Sequence, residues 1–98
     1  MTRFVVTVLP EAEADIREAF FWYRKRSPLA AAGFRTEVFR AIDELADRAS
    51  FWPCDEDGVP RCVLKRFPYT VHYELAGSVV TVLAVSHHRR LPRHWQDR

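Results

Sequence analysis

The stretch "YTVHYELAGSVVTVLAVSHH", residues 69–88, decides the fold. Its first half alternates with a period of two: Tyr69, Val71, Tyr73 and Leu75 point one way, while Thr70, His72 and Glu74 point the other. "AGS" (Ala76–Ser78) then supplies a tight hairpin turn. Beyond it, Val79–Val85 is apolar on nearly both faces, which predicts a strand in the middle of a sheet.

Upstream, Arg61–Phe67 reads as a further strand, preceded by a loop, "SFWPCDEDGVP", from Ser50 to Pro60. Before that loop the period changes to 3.6. A helix is expected from Ser27–Pro28, an N-cap followed by proline at the first helical position. Its apolar face holds Ala31, Phe34, Val38, Ala41 or Ile42, Leu45 and Ala49. Arg35, Glu37, Arg40, Asp43, Glu44 and Asp47 form its solvated side, and Gly33 inside the pattern marks a close packing contact. An earlier helix runs from Pro10 to Arg26, with Ala12, Ile16, Ala19 or Phe20, and Tyr23 in its stripe. Acids open this helix and Arg24, Lys25 and Arg26 close it, the order its dipole favours. In "FFWY", Phe20 and Tyr23 fit the core stripe while Phe21 and Trp22 lie off it; Phe21 is expected in the core, on a helix covered on two sides by its neighbour and the sheet, and Trp22 is an interface candidate. "FVVTVL" (Phe4–Leu9) reads as the first strand. The expected architecture is α+β in the order β-α-α-β-β-β. An antiparallel helix hairpin packs on one face of a mainly antiparallel four-stranded sheet.

At 98 residues the chain has room for one domain, taken as residues 1–98, and one core. No apolar run approaches the roughly 20 residues of a membrane span, and the N-terminus does not read as a signal peptide. The expectation is a cytoplasmic protein without a membrane partner. Cys54 and Cys62 match neither a redox pair nor a zinc knuckle and are expected as reduced thiols in or near the core. Charge is unevenly placed. Residues 1–58 carry eight basic against eleven acidic side chains, whereas residues 59–98 carry seven basic against two acidic. All four histidines lie in the second part, pointing to an acidic or polyanionic partner there.

Several chemistries were weighed against that basic end. A metal site from His87, His88, His94 and Asp97 is disfavoured, because adjacent strand residues diverge and the arginines repel a cation. Ser86 beside His87 lacks the surroundings of an activated nucleophile. No phosphate-binding loop or dinucleotide fingerprint is present, so no cofactor is expected. Arg61 and Lys65, an even number of residues apart, are expected to share a strand face, with Arg89, Arg90 and Arg93 adding charge and Trp95 a ring. A nearby histidine, His87 or His88, could move a proton. A merely solvated face with a basic tail accounts for the same residues equally well.

Three stretches together resemble a known family: "AEADIREAFFWYRKRSPLAAAGF" (12–34), "PRCVLKRFPYTVHYEL" (60–75) and "VVTVLAVSHHRRLPRHW" (79–95). They are similar to the RelE/ParE superfamily of bacterial toxins, the toxic halves of type II toxin–antitoxin pairs. The resemblance implies a toxin neutralised by a cognate antitoxin in a hetero-oligomer, and it implies one of two targets. ParE-like members, the plasmid stabilisation type, poison DNA gyrase; RelE-like members cleave messenger RNA on the ribosome. Under the nuclease pattern Arg61, Lys65 and Arg90 lie on phosphate and His87 or His88 moves protons. Two departures stand out: Thr70 occupies the place of an arginine and Val63 that of a lysine. With that charge set incomplete, the ParE-like reading is preferred, and whether the chain is an enzyme stays open. Trp22, Trp95, Arg89 and Arg93 are the expected partner-binding residues. An inactive module that keeps only antitoxin binding is a third possibility.

Overall fold

The protein is described from a computed structural model covering residues 3–89. Its elements are β1 (Val5–Val8), α1 (Pro10–Arg24), α2 (Pro28–Arg48), β2 (Arg61–Val63), β3 (Tyr69–Ala76) and β4 (Val79–His87). They form one four-stranded sheet in the order β1-β4-β3-β2. The β-α-α-β-β-β order is the expected one, and β4, apolar on both faces, is indeed central. The sheet is mixed: β1 runs parallel to β4, whereas β3 pairs antiparallel with both β4 and β2.

Local chemistry explains the helices. Pro10 opens α1 where a missing N–H costs nothing. The Ser27 side chain accepts the Ala30 N–H at 3.2 Å and caps α2, again with proline following. The predicted α2 stripe is buried at Ala31, Phe34, Val38, Ile42, Leu45 and Ala49, and α1 buries Ala12, Ile16 and Ala19. These meet Val71, Tyr73, Val80, Val82 and Val85 of the sheet in one core. Tyr73 closes the layer by donating its hydroxyl to the Ala49 carbonyl, one of the acceptors a helix end leaves unpaired. Burial pushes the Tyr73 hydroxyl up to about 12 and the Cys62 thiol up to about 11.

Four aromatic rings form a second packing centre at one end of the sheet. Phe34 lies 5.1 Å from Tyr69, 5.5 Å from Tyr23 and 5.6 Å from Phe67, between ring centroids. Gly33 lies beneath Phe67: a Cβ built on it would meet the ring at 3.4 Å. This is the close contact its position inside a helix implied.

Three expectations need correction. Strand β2 ends at Val63 rather than Phe67, because the next segment is held by other partners. The Lys65 and Arg66 N–H groups donate to the Glu37 carboxylate at 2.6 and 3.1 Å, and Pro68 has no N–H to offer a ladder. Glu37 therefore leaves the solvated side of α2 and pins the β2–β3 turn, with Arg66 Nε 3.2 Å from its other oxygen. Phe21 is the third: it is 51% exposed, because it lies off the Ala12, Ile16, Ala19 and Tyr23 stripe that faces the core. The thiols differ as well, Cys62 being buried and Cys54 exposed, both unbridged.

Candidate functional site

The chemistry-bearing residues gather where the C-terminal half of α1 passes the ends of β3 and β4. A groove of about 1000 Å³ opens there. One wall is a face of α1, with Glu18, Phe21, Trp22, Lys25 and Arg26 at helical spacing. The floor and far wall are Pro68, Tyr69, His87, His88 and Arg89. Cations outnumber the single acid, and two half-exposed aromatic side chains lie among them.

Trp22 is preorganised. The Arg26 guanidinium carbon stacks 3.7 Å from the centre of its ring, and Arg26 also donates to the Trp22 carbonyl at 2.9 Å. The Tyr23 ring meets Trp22 edge-on at 5.1 Å. Phe21 and Trp22 thus stand outward as a rigid pair, each 51% exposed. A fixed aromatic of this kind contributes contact area to a partner at little entropic cost.

The sheet register separates the two histidines. His87 pairs with Tyr69 across β3 and β4, and their rings meet edge-on at 5.0 Å. Its Nδ1 accepts the Arg89 N–H at 3.0 Å. His88 lines the same groove with a different partner, its Nε2 3.0 Å from the Thr70 hydroxyl, and its backbone N–H donates to the Pro68 carbonyl. A contact the sequence did not disclose lies beside it: His72 Nε2 is 2.7 Å from Ser86 Oγ. Ser86 is therefore partnered by a histidine across the sheet rather than by its sequence neighbour. The signal was present in the alternation of β3 and β4, but only the pairing register converts it into proximity.

Arg61 and Lys65 are not brought together as one strand face. Arg61 opens the edge strand opposite His72, while Lys65 sits in the turn that Glu37 holds. Burial raises the Glu37 carboxyl, but the N–H groups of Arg66 and Lys65 and the Arg66 guanidinium outweigh it, and the net shift is downward. Val63 pairs with Thr70 across β2 and β3, so a valine and a threonine lie side by side where the nuclease pattern has two further cations. Arg90, Arg93 and Trp95, like His94 and Asp97, lie outside the described residues.

One residue missed from sequence is Asp15. It is 7% exposed inside α1 and accepts the Val85 N–H at 3.0 Å. β1 pairs with β4 only as far as Val82, so the edge beyond it would be left without acceptors. Asp15 fills that gap and fixes the distal half of β4, which carries His87 and His88 into the groove. Its sequence position suggested only a helix-dipole role. Among the described residues no group of three or more His, Cys, Asp or Glu is gathered as a metal cage.

Comparison with known proteins gives one family model over most of the chain. It is that of the ParE toxin of type II toxin–antitoxin systems, parDE, and it matches residues 6–92. A solved structure titled as a chromosomal ParDE toxin–antitoxin system from P. aeruginosa superposes with a TM-score of 0.77 at 18% identity. The match covers 87% of this chain and 96% of that one. At that identity the likeness is one of fold. No curated protein sequence matches.

Proposed function

The chain belongs to the ParE toxin family of type II toxin–antitoxin systems, and from that premise we propose that it arrests growth by binding DNA gyrase and is neutralised by a cognate antitoxin. One observation carries the choice of a binding mode over cleavage: the groove offers exposed apolar contact and cations, but among the described residues no cluster of cations fixed around a single point. Phe21 and Trp22 are presented as a pair beside Lys25, Arg26 and Arg89. Cleaving a phosphodiester requires several fixed donors around one phosphate, and Arg61 faces this task with Val63 and Thr70 as neighbours. The action is placed in the cytoplasm, where gyrase works, and no described helix is long and apolar enough to cross a membrane.

The second reading is a ribosome-dependent messenger nuclease, and the Thr70–His88 and His72–Ser86 pairs favour it as sites of proton transfer. One experiment separates the two. Purified protein is added to gyrase supercoiling reactions and, in parallel, to ribosomes programmed with message. Inhibition of supercoiling with intact message is the expected result, and Trp22→Ala should weaken that inhibition about tenfold or more. Cleaved message with unaffected supercoiling, abolished by His88→Ala, would establish the nuclease instead.

A further inference from the structure

Three cations line the groove at the sheet end, Lys25, Arg26 and Arg89, and none has an ion-pair partner among the described residues. Glu18 is the single acid in the lining. Arg26 stacks on Trp22, its guanidinium carbon 3.7 Å from the ring centre. One of its N–H groups is taken by the Trp22 carbonyl, which leaves most of its donor fork for a ligand. Beside this pair Phe21 is equally exposed, and His87 brings a further flat ring from β4.

Flat rings interleaved with unneutralised cations have a definite complement. A single strand of nucleic acid carries a negative charge on every nucleotide, and each of its bases offers a face that stacks on an aromatic ring whatever the sequence. The groove supplies both kinds of contact within one turn of α1, where Trp22 lies next to Lys25 and Arg26. An acidic peptide would satisfy the cations but brings no regular series of flat faces to the rings. A duplex would bring phosphates only, because its bases are stacked on one another. The charge of the chain agrees: residues 59–98, which supply the far wall, carry seven basic against two acidic side chains.

We propose that this groove binds a single strand of DNA, with a base stacked on Trp22 and the neighbouring phosphates taken by Lys25, Arg26 and Arg89. The choice of DNA rests on the gyrase reading above, because gyrase works on DNA. It adds a second component to the target: the strand that gyrase holds, beside the enzyme's own surface.

The test is fluorescence anisotropy of a labelled oligothymidylate of about 12 nucleotides, titrated with the full-length chain at several salt concentrations. Supercoiling assays are run on the same variants. Trp22→Ala should weaken strand binding about tenfold and leave its salt dependence unchanged, while Trp22→Phe, which keeps a ring, should stay within about threefold. Lys25→Glu with Arg89→Glu should weaken binding about tenfold or more. It should also reduce the slope of log affinity against log salt by about 1.4, the share of two phosphates on a single strand. Arg35→Glu with Arg40→Glu, cations of α2 that lie off this groove, should change binding by less than about threefold at physiological salt. The substituted side chains are exposed, and a thermal melt of each variant checks that the fold is intact. Wild-type protein that inhibits supercoiling yet binds no strand overturns the proposal and leaves the gyrase reading standing. Strand binding by a protein that leaves supercoiling untouched does the reverse. If Trp22→Ala loses inhibition but binds the strand as wild type does, the groove belongs to the protein surface of the target and the proposal falls. A duplex bound as tightly as the strand, or an oligouridylate bound far more tightly, overturns it as well, the first in favour of phosphate contact alone and the second in favour of RNA.

Discussion

Single side chains set how the molecule responds to alkali. Cys62 and Tyr73 both hold their protons more tightly folded than unfolded, against ordinary values of 9.0 and 10.0. Below about pH 9 both groups are protonated in either state, and their contribution is intact. As pH rises, the unfolded chain releases protons that the folded chain retains, so stability declines between roughly pH 9 and pH 12. Denaturant melts across that range should show the fall, and Cys62→Ala should remove the part between pH 9 and 11. Tyr73→Phe should remove the upper part, but it also leaves the buried Ala49 carbonyl without its donor, at a cost of about 1–3 kcal/mol at neutral pH. A Tyr73→Phe protein as stable as wild type at pH 7 would contradict this account of the α2 terminus.

At the scale of elements, composition and order were readable but lengths and partners were not. The Ser27–Pro28 cap, the buried stripe of α2 and the central place of β4 follow from residues within a turn or a strand of one another. The early end of β2 does not, since it depends on Glu37, which lies in another element and looks like any other charge on a helix surface. The same holds for Asp15, an acid at the right end of α1 for the dipole, whose real partner is the Val85 N–H. Phe21 differs again: periodicity set it off the core stripe, and its exposure follows that position rather than the expected cover on a second side. Gly33 offers a measurable case. It costs α2 helix propensity, and the Phe67 ring would meet an added methyl at ordinary contact distance. Gly33→Ala should therefore stabilise the fold by about 0.5–1 kcal/mol in chemical denaturation. A loss of stability would mean that Phe67 cannot yield, and that the aromatic centre sets the spacing of α2 from the β2–β3 turn.

For the whole molecule, the groove at the sheet end is the surface proposed for the target. Its rim is cationic, so that association should weaken with salt. Gyrase inhibition should need more protein as ionic strength rises from about 0.05 to 0.3 M, and an inhibition curve insensitive to salt would remove Lys25 and Arg89 from the account. The crossover of the sheet carries a consequence for how such a protein is made. Among the described strands, β1 is the earliest in sequence, and its one neighbour is β4, the latest. Pairings between distant parts of a chain form slowly, after the cost of closing the long loop between them has been met. Until residues 79–87 have emerged, β1 has no ladder to join, the α1–α2 hairpin has only part of its sheet to cover, and His87 and Arg89 are not yet attached to anything. The surface proposed for the target joins α1 to the far end of β4, so it cannot assemble until both have been made.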